Sequence, residues 1–177
     1  MKNFKVDSSK LKKLIKNASD QLSGEWVLLG GTLLPYLGID YRSTVDVDLV
    51  GMNNPDQKQA IILMDLAQDL GWPVESINQA AGYFLQKVKN FEDHLIVLQK
   101  GKSATIYRPD LYLFTVLKLG RCTHQDIDDC EEMIKFEGKN VDAGLKKNTK
   151  SVIEDAIKST VKPETKAALE KLLKMLK

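Results

Sequence analysis

A chain of 177 residues, 43% hydrophobic and 28% charged, has the composition of an ordinary globular domain and is long enough to bury a core without disulfides. Its formal net charge of +2 argues against a protein whose main task is to coat nucleic acid, which calls for a strong basic excess. Cys122 and Cys130 form neither a disulfide framework nor a CxxC metal site. The N-terminal segment is too charged for a secretory signal, and no apolar run approaches the ~18 residues of a membrane span, so a cytoplasmic location is expected.

In chain order, Ser8 precedes Leu11, Leu14, Ile15, Ala18 and Leu22, a helical spacing that predicts an amphipathic helix capped by Ser8 and ending near Ser23-Gly24. Trp26 to Leu29 is a short, continuous apolar run stopped by Gly30-Gly31, which predicts a strand buried on both faces. A brief helix is expected over Thr32 to Leu37, its regularity limited by Pro35 unless that residue falls in the first turn. Val45 to Val50 alternates with period two and is followed by Gly51 and Asn53-Asn54-Pro55, a strand and its turn. Residues 56 to 70 carry Ile61, Ile62, Leu66 and Leu70 on a helical pattern closed by Gly71. The stretch from Val74 to Tyr107 reads as β-rich, with strands at Tyr83–Val88, Leu95–Leu98 and Ala104–Tyr107 and a hairpin tip at Lys100-Gly101-Lys102. Beyond Pro109 the pattern is helical. Leu111–Leu119 forms one helix, Thr123 and Asp126 form a capping box for the next, and further periods cover Lys150–Lys158 and Pro163–Lys177. The expected fold class is α+β, a mixed sheet flanked by helices over residues 1–108 with a helical C-terminal region, 109–177, packed on it.

Two features lie close together in this pattern. Gly30-Gly31-Thr32 follows a buried strand, and Asp46-Val47-Asp48 lies in the next one. Residues i and i+2 of a strand share a face, so Asp46 and Asp48 stand side by side with Val47 turned into the core. Paired carboxylates beside apolar neighbours need a counter-charge, and a hard divalent ion supplies one. A Gly-Gly turn complements this by letting backbone N–H groups approach a ligand, and the start of the following helix favours negative charge. The structural alternatives are a plain turn for the glycines and a solvated strand edge for the aspartates.

The block from Leu28-Leu29-Gly30-Gly31-Thr32 through Arg42-Ser43-Thr44-Val45-Asp46-Val47-Asp48-Leu49 resembles the signature of the DNA polymerase beta-like nucleotidyltransferase superfamily. Within it, the block looks like the small bacterial branch that includes abortive-infection and toxin–antitoxin-type nucleotidyltransferases. A second segment, Asp110-Leu111, Leu117-Lys118-Leu119, Arg121 and Asp126 with Asp128 or Asp129, resembles the later helical motif of that branch. The resemblance implies that Gly30, Gly31 and Thr32 hold the triphosphate of an NTP and that Asp46 and Asp48 bind two Mg²⁺ ions. It further implies that Lys118 faces a phosphate and that Arg42 fixes the loop or a phosphate. The implied acceptor is RNA, a protein or a small molecule, and an antitoxin-like protein is an implied partner. Arg42 pairing with Asp46 or a helix end, Lys118 reaching out from an apolar helix, and Asp126 acting as a helix cap are the competing structural roles.

Active members of the superfamily need a third carboxylate from a later strand. The expected strands at Tyr83–Val88 and Leu95–Gln99 carry no interior acid, so Asp93, in the turn between them, is left as the candidate, with Glu92 beside it and Glu75 further upstream. Without a third acid, the expectation is a degenerate site that binds nucleotide or a partner protein. Cys122, His124 and Cys130 match no zinc spacing, and Tyr107, Tyr112 and Phe114 read as core aromatics.

Overall fold

The computed structural model describes residues 5–53 and 56–176. Asn54 and Pro55 of the expected turn, and Lys177 at the end of the last helical period, lie outside the described residues. The fold is α+β, and the chain divides into two compact units, Met1–Pro109 and Asp110–Lys177.

The first unit opens with α1 (Ser8–Gln21), whose Leu11, Leu14, Ile15 and Ala18, with Leu22 just beyond, are fully buried along one face. Its cap is Asp7 rather than Ser8: the Asp7 carboxylate accepts from the backbone N–H of Lys10 at 2.9 Å and the hydroxyl of Ser9 at 2.8 Å. Ser8 turns its hydroxyl to the carbonyl of Pro35 instead, at 2.9 Å. β1 (Gly24–Leu29) follows, and its run Trp26 to Leu29 is no more than 2% exposed. The cause is its place at the centre of a five-stranded mixed sheet. With β2 (Val47–Gly51), β3 (Ile77–Asn78), β4 (Leu95–Lys100) and β5 (Ala104–Pro109), the order is β3-β2-β1-β5-β4. β1 runs antiparallel to β2 and parallel to β5, β2 and β3 are parallel, and β4 and β5 form an antiparallel hairpin with an irregularity between Val97 and Gln99.

Between the strands lie α2 (Leu33–Tyr36), with Pro35 inside its single turn, and α3 (Gln57–Asp69), closed by Gly71 at a φ of 68°. The buried face of α3 is Leu63, Leu66 and Ala67 with Leu70, while Ile61 is 52% exposed. Two other sequence expectations shift. The strand expected from Val45 begins at Val47, because β1 leaves the ladder at Gly30 and the last β1–β2 pair is Leu29 with Asp48. The strand expected at Tyr83–Val88 is a helix, α4 (Gly82–Leu85), made by local bonds from Tyr83, Phe84 and Leu85 back to Ala80 and Ala81. Of that stretch Leu85 is buried, whereas Tyr83 and Phe84 are 64% and 52% exposed, so its apolar residues do not serve a sheet.

The second unit contains α5 (Leu111–Leu119), α6 (His124–Glu137), α7 (Ala143–Ser159) and α8 (Pro163–Met175). α5 packs on α6 and α7, and α8 packs on α6 and α7. The Thr123–Asp126 capping box opens α6 as expected, with the Thr123 hydroxyl accepting from the Asp126 N–H and the Asp126 carboxylate accepting from the Thr123 N–H. Among the described residues, no helix is long and apolar enough to cross a membrane.

The β4–β5 hairpin is pinned to α1 at its tip. Lys102 N–H donates to the Asp20 carboxylate at 3.0 Å, and Ser103 N–H donates to the Ser19 carbonyl at 3.3 Å. A Cβ on Gly101 would lie 2.2 Å from that same carbonyl oxygen, which is backbone and cannot swing aside. Gly101→Ala is therefore expected to destabilise the fold by about 1–3 kcal/mol in urea denaturation, the range for an overpacked contact. A loss below about 0.5 kcal/mol, the range of an ordinary surface substitution, would mean that the tip does not dock as described.

Candidate functional site

At the end of the β1–β2 ladder the chain forms a tight junction between the glycine turn and the aspartates. Gly30 adopts a left-handed φ of 67°, and a Cβ there would lie 2.0 Å from Asp48 Oδ2, so the turn rests directly on that carboxylate. A Cβ on Gly31 would lie 2.0 Å from an Nη of Arg42, so the guanidinium covers the second glycine. The buried Thr32 hydroxyl donates to the carbonyl of Asp46 at 2.5 Å, tying the residue after the glycines to the aspartate segment. The Thr44 hydroxyl lies 3.4 Å from the same carbonyl. Gly30, Gly31, Thr32, Arg42, Asp46 and Asp48 thus form one constellation.

Within it the roles differ. Asp46 is exposed, Val47 buried, Asp48 half-buried and Leu49 buried, an alternation that turns both carboxylates away from the core. Arg42 donates through Nε to the Tyr41 hydroxyl at 3.0 Å and through Nη1 to the Ser43 carbonyl at 3.2 Å, with the Tyr41 ring 5.8 Å from the guanidinium carbon. These contacts hold a cation at the glycine turn. Asp46 and Asp48 are the residues that could hold a divalent ion. A hard ion such as Mg²⁺ needs only one or two protein carboxylates when water and phosphate oxygens complete its shell, so this donor set fits.

One residue here was invisible in the sequence reading. Asn78 of β3 is the registered partner of Asp48, and its Nδ2 donates to Asp48 Oδ1 at 3.3 Å. β3 is only two residues long and pairs with β2 across thirty positions, so no periodicity announces it. The available signal was Asn78 followed by Gln79-Ala80, since its side chain accepts from the Ala80 N–H at 2.9 Å in an Asx-type turn.

Asp93 does not join the site. It lies exposed in a 3-10 turn (Phe91–His94) leading into β4, and β4 is three strands from β2, roughly 14 Å at about 4.8 Å per strand. Among the described residues, no group of three or more His, Cys, Asp or Glu is placed to hold a metal ion, which includes Cys122, His124 and Cys130. Both cysteines are free, and burial pushes the Cys130 thiol far up.

Lys118 belongs to the second unit, where it is 5% exposed. Its ammonium lies 2.5 Å from Asp129 Oδ2 and 3.5 Å from Asp126 Oδ1, and Arg121 reaches the latter oxygen at 2.7 Å. Lys118, Asp126 and Asp129 of the second motif therefore form a buried cluster, whose charge Arg121 balances from the surface. Burial raises the Asp126 carboxyl, but the hydrogen bonds from Thr123 and Arg121 and the charge of Lys118 outweigh it and hold the group below its ordinary value. Of the three aromatics expected in the core, Phe114 is buried, whereas the Tyr107 hydroxyl donates to Glu25 at 2.8 Å at the surface.

The contact between Gly30 and Asp48 generates a testable coupling. Gly30→Ala is expected to cost about 2–5 kcal/mol in urea denaturation, from left-handed strain plus the collision with the carboxylate. In an Asp48→Ala background the collision is gone, so the same change is expected to cost only about 1–2 kcal/mol. Equal costs in the two backgrounds would contradict the contact.

No curated protein and no solved structure matches the chain. A family model described as "Nucleotidyltransferase of unknown function (DUF6036)" matches residues 4–160 of the 177. With that match covering most of the chain, including the glycine turn, the aspartate pair and the buried ion cluster, the protein belongs to this family of nucleotidyltransferases.

Proposed function

We propose that this chain is a Mg²⁺-dependent nucleotidyltransferase that moves a nucleotide from an NTP to a hydroxyl of an RNA, a protein or a small molecule. The observation that supports this most is the junction in which Gly30 lies against the Asp48 carboxylate while the Arg42 guanidinium lies against Gly31. The glycines allow a phosphate chain to approach the backbone, and Arg42 offers it a fixed positive charge. Thr32 acts from behind by holding the Asp46 backbone to the turn. Asp46 and Asp48 would hold the metal, which when bound would stabilise charge on the triphosphate and lower the pKa of the acceptor hydroxyl. The resemblance to toxin–antitoxin-type members extends the proposal to an antitoxin-like protein partner.

A second reading keeps the nucleotide site but not the transfer. It is favoured by Asn78, an amide, standing opposite Asp48 where an acid would complete a carboxylate trio. The two readings separate in one assay. The protein is incubated with Mg²⁺, each of the four α-³²P-labelled NTPs, and total RNA or cell extract as acceptor. Transfer predicts labelled acceptor with at least one NTP, reduced at least ~100-fold in Asp46→Ala with Asp48→Ala, the scale expected when groups that stabilise transition-state charge are removed. Absence of label with every NTP and acceptor pool, alongside retained NTP binding, would rule out transfer in favour of a binding role.

A further inference from the structure

Asn78 reaches Asp48 from the neighbouring strand, and it brings a hydrogen-bond donor rather than a charge. Its orientation is fixed by its own surroundings. Oδ1 accepts from the Ala80 N–H at 2.9 Å, so Nδ2 is the atom presented to Asp48 Oδ1 at 3.3 Å. The segment behind it is held in place as well. The carbonyls of Ala80 and Ala81 accept from N–H groups of α4, and Gly82 packs so closely on β2 that a Cβ there would lie 2.7 Å from Val50 Cγ1. Val50 follows Asp48 by two residues and so shares its side of the strand.

The two sides of the Asp48 carboxylate are therefore unlike. The Asn78 amide, with its partial positive charge, lies at Oδ1, whereas the Gly30 turn lies at Oδ2. A cation approaching from the Oδ1 side meets N–H protons. A cation approaching Asp48 away from Oδ1 meets no N–H proton from Asn78. An acid in the place of Asn78 would raise the carboxylate charge of the pocket by half and attract a bare divalent ion, whereas two carboxylates, one of them exposed, hold such an ion weakly in water.

Building on the assignment of Asp46 and Asp48 to a metal–nucleotide site, we infer that Asn78 is a positioning residue that makes this site take its metal together with the triphosphate rather than as a free ion. Asn78 fixes the Asp48 carboxylate toward the glycine turn and withholds the negative charge that would load the metal beforehand. Metal and nucleotide then bind interdependently, each supplying what the other's site lacks.

The test uses the full chain as wild type, Asn78→Asp and Asn78→Ala, with thermal melts to verify folding. MnCl₂ is titrated with and without inorganic tripolyphosphate, and water-proton relaxation enhancement reports Mn²⁺ immobilised on the protein. Wild type is expected to immobilise Mn²⁺ strongly only with tripolyphosphate. Asn78→Asp is expected to bind Mn²⁺ alone at least tenfold more tightly than wild type. Asn78→Ala is expected to remain weak toward bare Mn²⁺ and to lose at least threefold with tripolyphosphate, because Asp48 is no longer held. Should wild type bind bare Mn²⁺ as tightly as Asn78→Asp does, the role of Asn78 falls while the site stands. Should wild type bind Mn²⁺ under neither condition, the site falls and the inference with it. If Asn78→Asp does not fold, the side-chain amide resonances of Asn78, compared between wild type and Asp48→Ala, decide instead: a shift supports the contact, and unchanged resonances overturn it.

Discussion

The site depends on where the pairing of β1 with β2 stops. The ladder runs from Trp26–Gly51 to Leu29–Asp48, and then Gly30 takes a left-handed conformation and leaves the sheet. Because Gly30 has no side chain, the departing backbone can lie against the Asp48 carboxylate at a distance no other residue permits. The ladder's end also frees the Asp46 carbonyl from strand pairing, and the Thr32 hydroxyl takes it up. A glycine turn, a cation and two acids are thereby gathered by residues spread from Gly30 to Asp48, with little contribution from distant loops.

This locality explains why so much of the site was legible in the sequence. Gly30 and Gly31 leave the end of β1, and Asp46 and Asp48 stand at the start of β2, which pairs directly with β1. Strand period and turn chemistry were therefore enough to bring these four together, while Arg42, in the loop before β2, was singled out by the family resemblance. Asn78 was not legible because it acts through a two-residue strand whose only support is non-local pairing. Tyr83–Val88 was misread for a related reason: a short apolar run has no decisive period, and Ala80-Ala81-Gly82 lets it close local turns before it can meet a strand. The helical periods of the second unit were read as helices, although α7 starts at Ala143, about two turns before the expected Lys150.

The second unit has its own constraint. Lys118, Asp126 and Asp129 are nearly devoid of solvent, and buried charges of this kind persist only when each is matched. Arg121 completes the balance from the surface, and the capping box fixes Asp126 at the first turn of α6. The motif that looked like a phosphate-facing set in sequence is thus also an internal brace between α5 and α6, which gives its residues a structural reason to be present. In the first motif Gly30, Thr32 and Asp48 likewise have structural contacts, whereas Asp46 is exposed and its side chain serves no core.

The measurement that bears most directly on this assignment is calorimetric titration of the protein with each of the four NTPs, with and without Mg²⁺, repeated on Asp46→Ala with Asp48→Ala. Binding of at least one NTP that requires both the metal and the two aspartates is expected. Absence of binding by any NTP with Mg²⁺ present, or binding unchanged when both aspartates are removed, would contradict a nucleotide site at Gly30, Asp46 and Asp48.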